Sequence, residues 1–206
     1  MTIGPDIEEV LRDVGSSFQI HPIGAAAVAG GFLDMESYFD HSTPFIRQYF
    51  FSIDLSYTTT VIPGNIISFA GRYYLVTQMT PSYFEDALIQ YTSIVYRCNI
   101  FAGIFHRFDE NPGRDGNYER LPNWTPIYSD VIGLHVEERF GSQLAEFEEV
   151  LKVPIKHDIL YVSGDYDLKI GDRWMPKVGE QWEVQQIYFR QLDNVKIVHL
   201  AVDKRA

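Results

Sequence analysis

The chain has 206 residues, 46% apolar and 15% aromatic, with 28 acidic against 17 basic side chains and a net charge of −11. That apolar content can fill the core of one large domain or two small ones, and it excludes a long disordered chain. The acidic balance argues against a protein that grips nucleic-acid phosphate, and a single cysteine excludes a disulfide framework or a multi-thiolate metal site.

The first predicted element is a helix over residues 5–14. Gly4 can cap it, Pro5 suits the first turn, and Asp6, Glu8 and Glu9 favour the positive end of the helix dipole. Ile7, Val10, Leu11 and Val14 recur at helical spacing, a stripe that must cover either the body of the protein or a neighbour, and Gly15 ends the helix. Residues 24–31, Gly-Ala-Ala-Ala-Val-Ala-Gly-Gly, have neither phosphate-loop nor dinucleotide-fingerprint spacing and are read as a mobile or interface-forming segment. On that reading residues 1–31 are an N-terminal interaction segment, and deleting 1–30 leaves a folded monomer that no longer assembles.

From residue 49 the pattern turns to strands. Tyr49, Phe51, Ile53, Leu55 and Tyr57 alternate with Ser52, Asp54 and Ser56, as a half-buried strand requires. Further strands are expected near 60–69, 72–79, 87–91 and 94–102, with Pro81 and Ser82 breaking the sheet. These make a first β module over 32–106, in which Cys98 is a small core residue. The polar stretch 107–126, with Pro112, Gly113 and Gly116, is read as a linker or long loop. A second β module then covers 127–206. It has strands near 127–137, 158–163, 172–177, 181–190 and 194–203, and a helix near 143–151 carrying Leu144, Phe147 and Leu151. The fold class is therefore mainly β: two small barrel- or sandwich-like modules, a short N-terminal helix and one further helix.

Chemistry-bearing patterns are sparse. There is no Gly-x-Ser-x-Gly elbow, and the six histidines (21, 41, 106, 135, 157, 199) show no His-Glu-x-x-His or other ligand spacing. Adjacent acids at 8–9, 137–138 and 148–149 lie in or near regular structure, where neighbours diverge, and those at 109–110 lie in the linker, so solvated charge is expected and not the converging pair a glycosidase needs. Asp34, Glu36, Asp40 and His41 fall within eight residues but lack the spacing and glycine of a calcium loop. No catalytic residue, metal or cofactor is assigned. No apolar run approaches a bilayer span and no basic-then-apolar leader begins the chain, so neither membrane insertion nor signal-peptide export is expected.

The most informative pattern occurs twice. Val61-Ile62-Pro63-Gly64-Asn65-Ile66 is followed by Gly71, Tyr74 and Val76; Leu168-Lys169-Ile170-Gly171-Asp172-Arg173 is followed by Gly179, Trp182 and Val184. Each copy has Gly-Asx, then a second Gly, then an aromatic three residues later and a Val five residues later. Gly64, Gly71, Gly171, Asp172 and Gly179 are thus predicted to shape matching turns and hairpins.

Two sets of segments resemble known families. Phe32-Leu33-Asp34, Thr43-Pro44-Phe45-Ile46-Arg47, Val61 to Ile67, Pro81 to Glu85 and Val95 to Asn99 resemble neck proteins of contractile-tailed bacteriophages. Tyr166 to Trp174, Gly179 to Val184 and the strand Val195 to Asp203 are similar to the β-barrel of phage head-completion or stopper proteins. The resemblance covers about half the chain. It implies a homo-oligomeric ring in the virion neck, between the portal or adaptor protein and tail terminator proteins, with the genome passing through its lumen. Acidic lumen walls would let the DNA slide. A baseplate or tail-tube adaptor is the alternative within the class; a saccharide-binding β protein using its tyrosine-rich faces is the alternative outside it.

Overall fold

The computed structural model describes residues 3–37, 49–111, 113–114, 116–117, 123–137 and 157–205. The expected helix near 143–151, and Asp40 and His41, lie outside the described residues. By packing, the chain divides into two units. The first gathers Met1–Asn99 with Val162–Tyr166 and Phe189–Lys196; the second gathers Ile100–Tyr161, Asp167–Tyr188 and Ile197–Ala206.

Helix α1 (Ile3–Val14) is followed by β1 (Ser16–His21), β2 (Val28–Ser37), β3 (Phe50–Ser56), β4 (Ile66–Phe69), β5 (Arg72–Phe84) and β6 (Ala87–Arg97). These six strands close into a barrel in the order β1-β2-β3-β6-β5-β4. Its core holds Phe18, Ile20, Leu33, Ile53, Leu55, Ile67, Phe69, Tyr74, Val76 and Val95. Alternation explains the strands: in β3 only Ile53 and Leu55 are fully buried, while the intervening Ser52, Asp54 and Ser56 are partly exposed.

The remaining strands are β7 (Ile100–Phe108), β8 (Trp124–Glu137), β9 (His157–Ser163), β10 (Arg173–Met175), β11 (Trp182–Leu192) and β12 (Val195–Val202). They close a second barrel in the order β7-β8-β9-β12-β11-β10. Each strand of the first barrel has a counterpart six strands on, so the same topology is built twice. In the second unit Phe105, Val131, Leu134, Leu160, Trp174, Val184, Val198 and Leu200 are fully buried. Trp174 lies so close over Gly103 that a Cβ there would meet its ring at 1.9 Å.

Three expectations change. Residues 16–31 contain β1 and the start of β2, which are barrel strands: β1 pairs with both β2 and β4. Glycine at position 30 serves packing, since a Cβ would come within 2.1 Å of the Phe18 ring. Pro81 and Ser82 do not break the sheet; they pair with Tyr91 and Gln90 inside β5. Because β4 pairs with β5 only as far as Leu75, the far side of Pro81 is an edge among the described residues, where its missing N–H is tolerated. Lastly, the units part at Asn99 and Ile100, and the stretch 109–123 connects two paired strands, β7 and β8.

Candidate functional site

The repeated turn is the same object in both copies. In the first, Gly64 N–H donates to Val76 O (2.8 Å), Asn65 N–H to Ile62 O (3.1 Å) and Val76 N–H to Asn65 O (2.9 Å). In the second, Gly171 N–H donates to Val184 O (2.8 Å), Asp172 N–H to Lys169 O (3.1 Å) and Val184 N–H to Asp172 O (2.9 Å). Each Asx side chain also accepts the N–H three residues back, from Ile62 (3.1 Å) and from Lys169 (2.8 Å). Gly64 and Gly171 adopt φ of 88° and 89°, where a side chain is strained. Gly71 and Gly179 have φ of 71° and 87° in the following turns. The aromatic and the Val of each repeat (Tyr74 and Val76, Trp182 and Val184) are buried.

Sharing one hydrogen-bond pattern, the copies can be compared position by position. Cys98 N–H bonds Tyr73 O (2.9 Å) where Asp203 N–H bonds Gln181 O (3.0 Å), so Cys98 corresponds to Asp203. Ile66 lies opposite Leu75 and His21; Arg173 lies opposite Glu183 and His106, so Ile66 corresponds to Arg173. A buried apolar pair in the first barrel is thus replaced by a buried ion pair in the second. The Asx residue has diverged in the same way. Asp172 is bonded by Arg107 Nε (3.0 Å) and Nη2 (2.9 Å), whereas neutral Asn65 has Pro22 at the position matching Arg107. The sequence expectation for Asp172 as a turn residue missed this second role.

Arg173 and Asp203 belong to a larger cluster. Arg173 Nε donates to Asp203 Oδ2 (2.7 Å), and its Nη2 donates to the Arg205 carbonyl (2.7 Å). Arg205 Nε and Nη2 donate to the same carboxylate (2.9 and 3.1 Å), and Nη1 lies 3.0 Å from Glu183 Oε1. The Trp124 ring has the two guanidinium carbons 3.7 and 4.9 Å from its centroid. Burial pushes the Asp203 carboxyl up, but hydrogen bonds from Arg205 and Arg173 outweigh it and hold the group down to about 2. Burial and the nearby Arg173 lower His106. These donors and acceptors answer one another, so the cluster fastens residues 203–205 to the second barrel.

The predicted interface stripe on α1 divides. Leu11 is buried and Ile7 half-buried, while Val10 and Val14 are exposed. Burial is likewise incomplete at the hairpin ends. Between β5 and β6 the turn residues Glu85 and Asp86 both have positive φ (46° and 65°), the conformation of a type I′ turn. Tyr83 beside them is 63% exposed and Phe84 47%. In the second unit Ile170 is 71% exposed and Val178 96%.

The described histidines occupy separate places. His21 Nε2 lies 2.7 Å from Ser68 Oγ, His135 Nε2 lies 2.8 Å from Asp158 Oδ2, and His199 packs edge-on to Tyr188. Among the described residues no group of three His, Cys, Asp or Glu is placed to hold a metal, and no helix is long and apolar enough to cross a membrane. Cys98 is buried and its thiol is pushed well up by desolvation.

No protein-family model, curated protein or solved structure matches this chain.

Proposed function

We propose that this protein is a structural subunit of a tailed-phage neck, forming a homo-oligomeric ring that joins the portal or capsid to the tail and lines the DNA channel. The observation that carries this reading is the doubled barrel, whose turns and hairpin ends present large apolar side chains outward: Tyr83, Phe84, Ile170 and Val178. Apolar side chains exposed together, as Tyr83 and Phe84 are at one hairpin end, suit a surface that associates. The resemblance of the Gly-Asx hairpins to phage neck and head-completion proteins supplies the setting. The net charge of −11 suits a wall past which DNA slides without sticking. Copies of this chain, the portal or adaptor protein and tail terminator proteins are the partners on this reading, and the virion neck is the location.

Electron microscopy of the purified protein, alone and mixed with the portal protein of the same virus, tests the proposal. Rings with an axial opening that cap the portal are expected. Particles that neither associate with one another nor bind portal would remove the basis for a neck role.

A further inference from the structure

The two Gly-Asx turns share their geometry but differ in what lies over them. Within the first unit, the hairpin turn Asp193–Asn194 sits on the Pro63–Gly64 turn. Asn194 Nδ2 donates to Pro63 O (3.1 Å), and a Cβ on Gly64 would fall 2.3 Å from Asn194 O. The matching position in the second unit is uncovered among the described residues. Around Gly171 the nearest atom to such a Cβ is Arg205 Nη1 at 3.8 Å, and Ile170, in the place of Pro63, is 71% exposed.

The element that covers Gly64 also has a counterpart. The Asp193–Asn194 turn begins nine residues after Val184; the Glu85–Asp86 turn begins nine residues after Val76, at the end of the β5–β6 hairpin. Glu85 and Asp86 are exposed. Among the described residues, each chain therefore has one turn-on-turn contact made, one uncovered Gly-Asx turn and one uncovered hairpin end.

We infer that the Glu85–Asp86 hairpin end of one copy seats on the Lys169–Ile170–Gly171 turn of another copy, in the place that the Asp193–Asn194 turn takes over Gly64 but with the Asp86 carboxylate accepting where Asn194 Nδ2 donates. Charge favours the match. The hairpin end carries two carboxylates, and exposed Lys169 borders the receiving turn. Apolar surface on both sides, Tyr83 and Phe84 against Ile170, can be buried with it. The donor and acceptor surfaces differ, so the contact is head-to-tail and propagates until a ring closes. The inference deepens the proposed ring reading and rests on it only for closure.

The test uses the full chain. Glu85→Cys and Ile170→Cys are prepared as separate variants, each keeping the buried native Cys98, and mixed under mild oxidation. A disulfide dimer in the mixture and in neither variant alone is expected. Glu85→Asn with Asp86→Gly keeps a type I′ turn while deleting both carboxylates. With tryptophan emission and circular dichroism unchanged, it should raise the concentration for half-association at least about tenfold. Lys169→Glu should do the same. If the wild type associates but no cross-link forms and both charge variants associate normally, the contact is overturned while the ring reading stands. A wild type that stays monomeric at every concentration overturns both.

Discussion

Replacing Arg173 and Asp203 with the residues their counterparts carry, Ile and Cys, puts the correspondence between the barrels to a quantitative test. Breaking a buried ion pair by removing one partner typically costs about 3–5 kcal/mol, because the remaining charge stays buried. The Arg173 and Asp203 side chains are 7% and 0% exposed, so both belong to that regime. Asp203→Cys leaves Arg173 facing Arg205, with only the Glu183 carboxylate already bound to Arg205 nearby, and is expected near the upper end. Arg173→Ile leaves Asp203 its bonds from Arg205 and is expected near about 3 kcal/mol, which includes the lost stacking on Trp124. The double variant rebuilds the apolar pair of the first barrel and should lie within about 2 kcal/mol of wild type, since apolar replacement of a buried pair is often close to neutral. The expected coupling is therefore at least about 4 kcal/mol. Urea unfolding followed by tryptophan emission is the assay, because Trp124, Trp174 and Trp182 all lie in the second unit. If the two losses simply add in the double variant, the positions are not equivalent and the argument fails.

Further outcomes follow from the same geometry. Asp203 has its carboxyl held near 2, below an ordinary value of 3.8, so its stabilisation is full above about pH 4 and is lost as pH falls toward 2. His106, lowered in the folded chain, acts in the same direction, since below about pH 6.5 the unfolded chain takes up the proton first. Acid titration by tryptophan emission should show both phases, and Asp203→Asn should remove the lower one. Gly64→Ala meets positive φ and the Asn194 carbonyl together and should lose more than the roughly 1–2 kcal/mol of the backbone term alone. Gly71→Asn, at positive φ with open space around it, should lose under about 1 kcal/mol; urea unfolding followed by circular dichroism compares the two. Deleting residues 1–30 removes β1 and part of β2 and should expose the first barrel to limited proteolysis while tryptophan emission stays native. An intact first barrel in that variant would contradict the strand order.

The parts of the fold that depend on local chemistry were legible in the sequence. An Asx side chain accepting the N–H three residues back, next to a glycine at positive φ, is a short-range device, and Gly64-Asn65 and Gly171-Asp172 declared it. The strands around Ile53 and Leu55 followed from alternation in the same way. Long-range decisions were hidden. Nothing in the sequence near Gly30 shows that Phe18 packs on it, so a packing glycine resembles a flexible one and hides β1. Glu85–Asp86 lacks the Asn-Gly signature of a type I′ turn, so the sequence hides the outer end of the β5–β6 hairpin beyond Pro81. The exchange of Ile66 and Cys98 for Arg173 and Asp203 emerges only when strands distant in sequence are aligned by their hydrogen bonds. The α1 stripe was visible, yet which members face the barrel depended on how the helix is rotated against it.

Sedimentation velocity of the wild-type chain over a wide concentration range measures self-association with the least intervention. One discrete large species growing at the expense of monomer, without a ladder of intermediates at saturation, is what a closed ring of these subunits predicts. A single monomer boundary at every concentration would contradict it.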